Sequence, residues 1–242
     1  TYIEGLKGSE YDNVTIRQLL TMTSGVRWNE DYEDPKSDVA LFNEHKAEDG
    51  LDVTVSYMRK LGREAPAGEK WVYKTGETNL IGVLVSEATG KPLAEYLSEK
   101  VWAPFGMEQD ATWLLGSTGH EVAGCCIQAA TRDMARFGLF IMGGGMAGGE
   151  QVLPADWIEA ATTQQADIGR PGKGYGYQWR TYDDGTYAAQ GIFGQGKFID
   201  PARKLVIASN SNWTRASMGP EGEAREAFYK RVQAAIDART AK

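Results

Sequence analysis

The sequence predicts an α+β fold: a mainly helical lobe packed on an antiparallel sheet, with a C-terminal helix closing the chain. Three observations predict it. Apolar residues recur at helical spacing from about residue 15 onward, the period changes to two after Gly174, and Glu221–Ala238 reads as an amphipathic helix. That last stretch carries its acids early and Arg231 and Arg239 late, the order a helix dipole favours. Helices first and strands last describe a lobe set against a sheet. The expected division is 1–165 for the helical lobe and 166–242 for the strands and closing helix, both parts of one domain.

The first helix is expected at Thr15–Met22, where Ile16, Leu19 and Leu20 share a face and Ser24-Gly25 supplies the stop. From Val26 to Gly50 the chain is polar and acid-rich, with Asp34-Pro35 as a turn, and is expected to be a loop. A loop of that length is more often functional than merely connecting. Helical patterns follow at Thr54–Leu61, Asn79–Thr89 (closed by Gly90), Leu93–Val101 (closed before Pro104), Thr131–Met142 and Pro154–Thr162, where Pro154 suits a first helical position. The glycine-rich stretch from Gly143 to Gly149 is a flexible turn; no Lys-Ser/Thr follows it, so it is not a phosphate loop. Strands are expected at Tyr175–Thr181, Tyr187–Ile192, Lys197–Asp200 and Leu205–Ser209, with turns at Asp183-Asp-Gly185 and Asp200-Pro201.

Composition narrows the function classes. The 242 residues are 42% hydrophobic and 24% charged, within the globular range. A net charge of -7 argues against a nucleic-acid partner, which calls for a basic stripe. The longest apolar stretches, around Leu80–Val85 and Phe137–Met142, are far shorter than the roughly 20 residues of a spanning helix, so no membrane partner is expected. The two histidines, His45 and His120, lie far apart and no Cys-x-x-Cys or His-x-x-x-His occurs, so neither metal nor cofactor is expected. Cys125 and Cys126 are adjacent and are expected to be two reduced thiols, which leans towards a reducing, cytoplasmic setting and leaves localisation open. The chain opens on Thr1, so a leader could have preceded it.

The chain contains no Gly-x-Ser-x-Gly elbow and no Ser-x-x-Lys. Four segments nevertheless carry a pattern in order: Thr15-Ile-Arg-Gln-Leu-Leu-Thr-Met-Thr-Ser-Gly25, Trp71-Val-Tyr-Lys-Thr-Gly-Glu-Thr-Asn-Leu-Ile-Gly82, Ala130-Thr-Arg-Asp-Met-Ala-Arg-Phe-Gly138 and Gly191-Ile-Phe-Gly-Gln195. Together they resemble the class C β-lactamase-related serine hydrolases, within them the nylon-oligomer (aminohexanoate-oligomer) hydrolase and esterase branch. The resemblance implies a β-lactamase/transpeptidase-like fold and an acyl-enzyme route to a small amide or ester. In that family a Ser-x-x-Lys supplies nucleophile and ammonium, a tyrosine acts as base, and backbone N–H groups hold the oxyanion.

Carried over residue by residue, the resemblance makes Tyr73 the base, its side chain in a cleft near the Ile192 amide, and Ile192 N–H an oxyanion donor. The family's Tyr-x-Asn reads Tyr73-Lys74-Thr75 here, and a threonine hydroxyl cannot replace an amide's separate donor and acceptor. The third motif falls on Ala189-Gln190-Gly191, where the usual cation or imidazole is missing; neutral amides or esters are therefore expected over β-lactams. Tyr32 is expected to reach the leaving amine and Trp179 either to shield the acyl group or to pack in the core, with Gln190 and Gly191 lining the substrate. Arg132 and Asp133 read as structural. The Ser-x-x-Lys is expected on a segment of the same protein before Thr1. Two other readings stay open: a non-catalytic binding or sensor module on the same fold, and acyl transfer of the D-aminopeptidase or β-lactamase type.

Overall fold

The computed structural model describes residues 2–48, 50–216 and 219–240. Helix α1, Ile16–Leu20, starts at a reciprocal cap in which the Thr15 side chain accepts from Gln18 N–H and the Gln18 side chain returns to Thr15 N–H. The stretch expected to be a loop contains α2, Asp38–Glu44, where Ser37 caps the first turn and Val39 and Phe42 bury the inner face. Helix α3 is Val53–Met58, capped by Asp52. Helix α4, Thr75–Thr89, begins a full turn earlier than its apolar pattern and ends on Gly90 in the left-handed conformation. Helix α5, Leu93–Leu97, runs through a π turn at Ser98–Trp102 into α6, Ala103–Phe105. Two short ladders flank α7, Thr131–Met142: β1 (Thr112–Trp113) with β2 (Ile127–Gln128), and β3 (Met146–Ala147) with β4 (Glu150–Gln151). Helix α8 is Ala155–Thr162.

The main sheet has six strands: β5 (Ala166–Arg170), β6 (Lys173–Tyr175), β7 (Arg180–Tyr182), β8 (Tyr187–Gln190), β9 (Gly196–Asp200) and β10 (Leu205–Ser209). They lie in the order β10-β9-β8-β7-β6-β5, every neighbour antiparallel, and α9, Pro220–Thr240, follows. The expected strand Tyr175–Thr181 is in fact two strands. Gly176 N–H bonds the Trp179 carbonyl at 2.8 Å, Gln178 takes φ 65°, and both Gln178 N–H and its side-chain amide reach the Leu20 carbonyl. Gly176 sits so close to the end of α8 that a Cβ there would lie 2.0 Å from the Ala161 carbonyl oxygen. The strand expected to reach Ile192 ends at Gln190, because Gly191 to Gly194 form the β8–β9 turn, closed by Gly191 N–H to Gln195 O at 2.8 Å.

Strand alternation sets the core. Ile199 faces a cluster with Phe140, Ile141, Trp179 and Tyr187, whereas its neighbour Phe198 faces α9 and stacks on Tyr229 with ring centroids 4.5 Å apart. Helix α7 lies across β9 and β10, and Gly138 makes the approach possible: a Cβ there would be 2.5 Å from Val206 Cγ1. A second cluster joins α1 to α4 through Leu19, Val26, Trp28, Phe42, Val55, Met58 and Leu80.

The expectation of two reduced thiols is corrected: Cys125 and Cys126 are joined in a disulfide, with Cα atoms 3.7 Å apart. Cys126 takes φ 78°, a left-handed backbone that lets the adjacent side chains meet. The support the thiols lent to a reducing setting goes with them. Among the described residues no helix is long and apolar enough to cross a membrane.

Candidate active site

Tyr73 lies on the extended segment Trp71–Lys74, which is pinned by Val72 N–H to the Met22 carbonyl at 3.0 Å and turns directly into α4. Its ring is half-buried against Tyr175, edge-on at 6.5 Å between centroids, and the Arg180 guanidinium stands 5.9 Å from its ring centre. The hydroxyl carries no hydrogen bond among the described residues. Burial pushes the Tyr73 pKa up, the Glu30 carboxylate adds to the rise, and Arg180 opposes it. As a base in these surroundings, Tyr73 needs a further cation.

The first turn of α4 has no capping side chain of its own; Glu30 supplies one from the long acidic segment. Its carboxylate accepts from Thr75 N–H at 3.0 Å, from the Thr75 hydroxyl, from Trp28 Nε1 and from the Tyr32 hydroxyl. Tyr32 Oη is also 3.2 Å from Thr75 Oγ1. Burial, then Glu30, push the Tyr32 phenol far above its ordinary value, so it stays protonated. Tyr32 and Thr75, tied through Glu30, stand two residues along the chain from Tyr73. The sequence reading passed over Glu30; a carboxylate two residues before a tyrosine on a long loop is no signal until the fold brings α4 to it.

Beneath Tyr73, Lys74 and Glu77 are buried together. Lys74 Nζ bonds the Val72 carbonyl at 3.1 Å and lies 3.5 Å from Glu77 Oε1, with side chains 1% and 0% exposed. Glu77 Oε1 also accepts from Tyr11 Oη at 3.1 Å and from Ser24 Oγ, while Oε2 has no partner among the described residues. Burial is the largest influence on both, raising Glu77 and lowering Lys74, and their mutual attraction opposes each shift. Ser24, fully buried and held by Glu77, is no candidate nucleophile.

The third motif lies at the end of β8. Gln190 Nε2 donates to Tyr182 Oη at 3.1 Å, Gly191 opens the turn, and Ile192 N–H meets no acceptor among the described residues. Trp179 is 9% exposed and packs edge-on against Tyr187 at 5.4 Å. Arg132 pairs with Glu108, and Asp133 accepts from the Glu108 and Gln109 N–H groups at 2.8 and 3.0 Å and from Arg136. The structure thus joins Tyr73, Tyr32, Thr75 and Arg180 in one neighbourhood, and holds Gln190, Gly191 and Ile192 together at the β8 end. Among the described residues no His, Cys, Asp and Glu cluster could hold a metal ion.

The family model described as Beta-lactamase matches residues 1–230. The chain belongs to the β-lactamase family. Over 229 residues it is 30% identical to the 6-aminohexanoate-dimer hydrolase of Paenarthrobacter ureafaciens, covering 88% of this chain and 58% of that protein. It is 26% identical to esterase EstB of Burkholderia gladioli, covering 90% of this chain and 70% of the esterase. A solved structure from Bacillus anthracis, provisionally named a 6-aminohexanoate-dimer hydrolase, superposes with a TM-score of 0.83 at 28% identity, over 99% of this chain and 65% of that one. The fold is β-lactamase/transpeptidase-like, and this member of a hydrolase family spans a little over half the length of the first of these relatives.

Proposed function

We propose that the protein is a serine hydrolase of small amides or esters, working through an acyl-enzyme, with Tyr73 as general base and Ile192 N–H as an oxyanion donor. The nucleophilic Ser-x-x-Lys is assigned to a segment of the same protein before Thr1. The observation that carries the reading is the setting of Tyr73: an unbonded phenol at the head of α4, beside the Arg180 cation and the Glu30–Thr75–Tyr32 cluster. Burial holds this phenol in its protonated form, so the incoming lysine ammonium has a defined task, to favour tyrosinate and let it draw the serine proton. Tyr32, kept protonated, is suited to donate to a leaving amine. Gln190 and Gly191 line the acyl side, and Trp179 supports it from the core. The relatives named for aminohexanoate-dimer and ester hydrolysis favour neutral amides and esters over β-lactams.

Burst kinetics with a p-nitrophenyl ester, on protein carrying the upstream segment, test this. Tyr73→Phe should fold normally and acylate about 10²–10⁴ times more slowly, the usual range for a general base. Turnover at the wild-type rate by a folded Tyr73→Phe enzyme removes Tyr73 from the mechanism. A panel of linear and cyclic short amides, nitrocefin and D-Ala peptides sets the substrate class, with amides or esters expected to lead. No turnover of any of them would favour a binding or sensor module.

A further inference from the structure

The cysteine pair plays no part in the proposed chemistry, yet it sits one residue from the wall of the site. Cys125 is exposed and Cys126 half-buried. On one side the loop that carries them is held by Trp113, whose Nε1 donates to the Val122 and Cys125 carbonyls at 2.9 and 3.1 Å, and by Leu114 N–H to the Cys126 carbonyl at 3.2 Å. On the other side Ala123 and Gly124 lie on α4 along Thr75, Asn79 and Gly82, residues whose i, i+4, i+7 spacing puts them on one face. The fit leaves no slack. Gly124 N–H bonds Asn79 Oδ1 at 3.1 Å; a Cβ on Gly124 would lie 2.9 Å from Thr75 Cγ2, and one on Gly82 would lie 2.2 Å from Ala123 Cβ. Thr75 is the residue that binds Glu30 and Tyr32.

We propose that Cys125–Cys126 is a reversible two-electron redox site for dithiols, and that its state sets how residues 122–126 seat on α4 and, through Thr75, how fast the site of Tyr73 turns over. The second half rests on the hydrolase reading. A thiolate of the dithiol attacks the exposed Cys125 sulfur, and the disulfide electrons leave on Cys126 as thiolate. The second thiol then attacks the mixed disulfide and frees Cys125. The protein gains two electrons and two protons, and the dithiol departs as its own disulfide. With the ring open, Cys126 no longer needs its left-handed backbone, which non-glycine residues avoid, and the loop is released to shift against Thr75 and Asn79.

The test exposes folded protein to dithiothreitol and then to oxidised glutathione, with thiol titration, intact mass, amide exchange at Gly124 and ester turnover as readouts. Expected are no free thiols before reduction, two after it with a mass gain of two hydrogens, faster exchange at Gly124, and a severalfold change in turnover, all reversed by reoxidation. Cys125→Ser with Cys126→Ser should match the reduced protein and ignore dithiothreitol. Free thiols that glutathione disulfide cannot close overturn the redox site. Reversible reduction with unchanged Gly124 exchange overturns the coupling to α4, as does changed exchange with unchanged turnover for the link to the site. A protein that hydrolyses no ester in either state fails the hydrolase reading and with it the turnover half, while thiol count and Gly124 exchange still decide the redox site and its seating on α4.

Discussion

Tyr73 and Lys74 are neighbours in sequence with opposite fates: one faces the site half-exposed, the other is sealed beneath it against Glu77. A buried ion pair contributes little net stability, but one partner without the other is costly, because the survivor keeps its desolvation penalty. Lys74→Met should therefore destabilise the protein by about 3–5 kcal/mol in urea unfolding. Adding Glu77→Leu should restore a good part of that loss, although Tyr11 and Ser24 then lose their acceptor. If the double variant is as unstable as the single one, the pair is not the reason Lys74 is buried. Tyr73 itself was legible from its motif, whereas Lys74, Glu77, Glu30 and Arg180 were not. A charged residue beside a glycine on a helix start reads as surface until distant chain, here Tyr11, Ser24 and the β7 strand, closes over it.

At the scale of elements, α7 came out of the sequence with its own bounds, Thr131–Met142, because its apolar stripe is strong and Gly143 stops it. Helix α2 and the early start of α4 did not. Both begin on caps that are polar residues in an acidic stretch, and α4 takes its cap from Glu30, 45 residues away. Asp133 shows what a cap of this kind does for the fold: fully buried at the head of α7, it ties down the 108–109 segment. Burial by itself would raise its pKa; the Glu108 and Gln109 N–H groups and Arg136 outweigh that, and the carboxyl is held below its ordinary value. The unfolded chain therefore takes up the proton first as pH falls. Stabilisation from Asp133 is complete above about pH 4 and drains away below it, towards the lower folded value. Asp133→Asn should lower the melting temperature at neutral pH and flatten its decline in that acid window. A parallel decline in both proteins would assign the acid loss to other groups.

For the whole molecule, the antiparallel meander buries its two faces against different partners, α7 on one and α9 on the other, and β5 and β10 are its edges among the described residues. With no Ser-x-x-Lys in these 242 residues, and Ser24 locked against Glu77, this chain on its own should show no ester burst and no serine labelling by a fluorophosphonate. Stoichiometric labelling of Ser24 or Ser117 would place the nucleophile within it. The local pattern of the chain was enough for the α+β class, most helix positions, the antiparallel run from Tyr187 to Ser209 and the family resemblance, because periodicity and motif order are properties of consecutive residues. It could not show that Tyr175–Thr181 breaks into two strands, since that break follows from Gly176 meeting the end of α8 and Gln178 reaching Leu20. Nor could it show the Cys125–Cys126 bond, the Glu30 cap or the Arg180 cation over Tyr73. Those depend on which distant surfaces touch, and contact between residues far apart in sequence is decided only when the lobe and the sheet pack together.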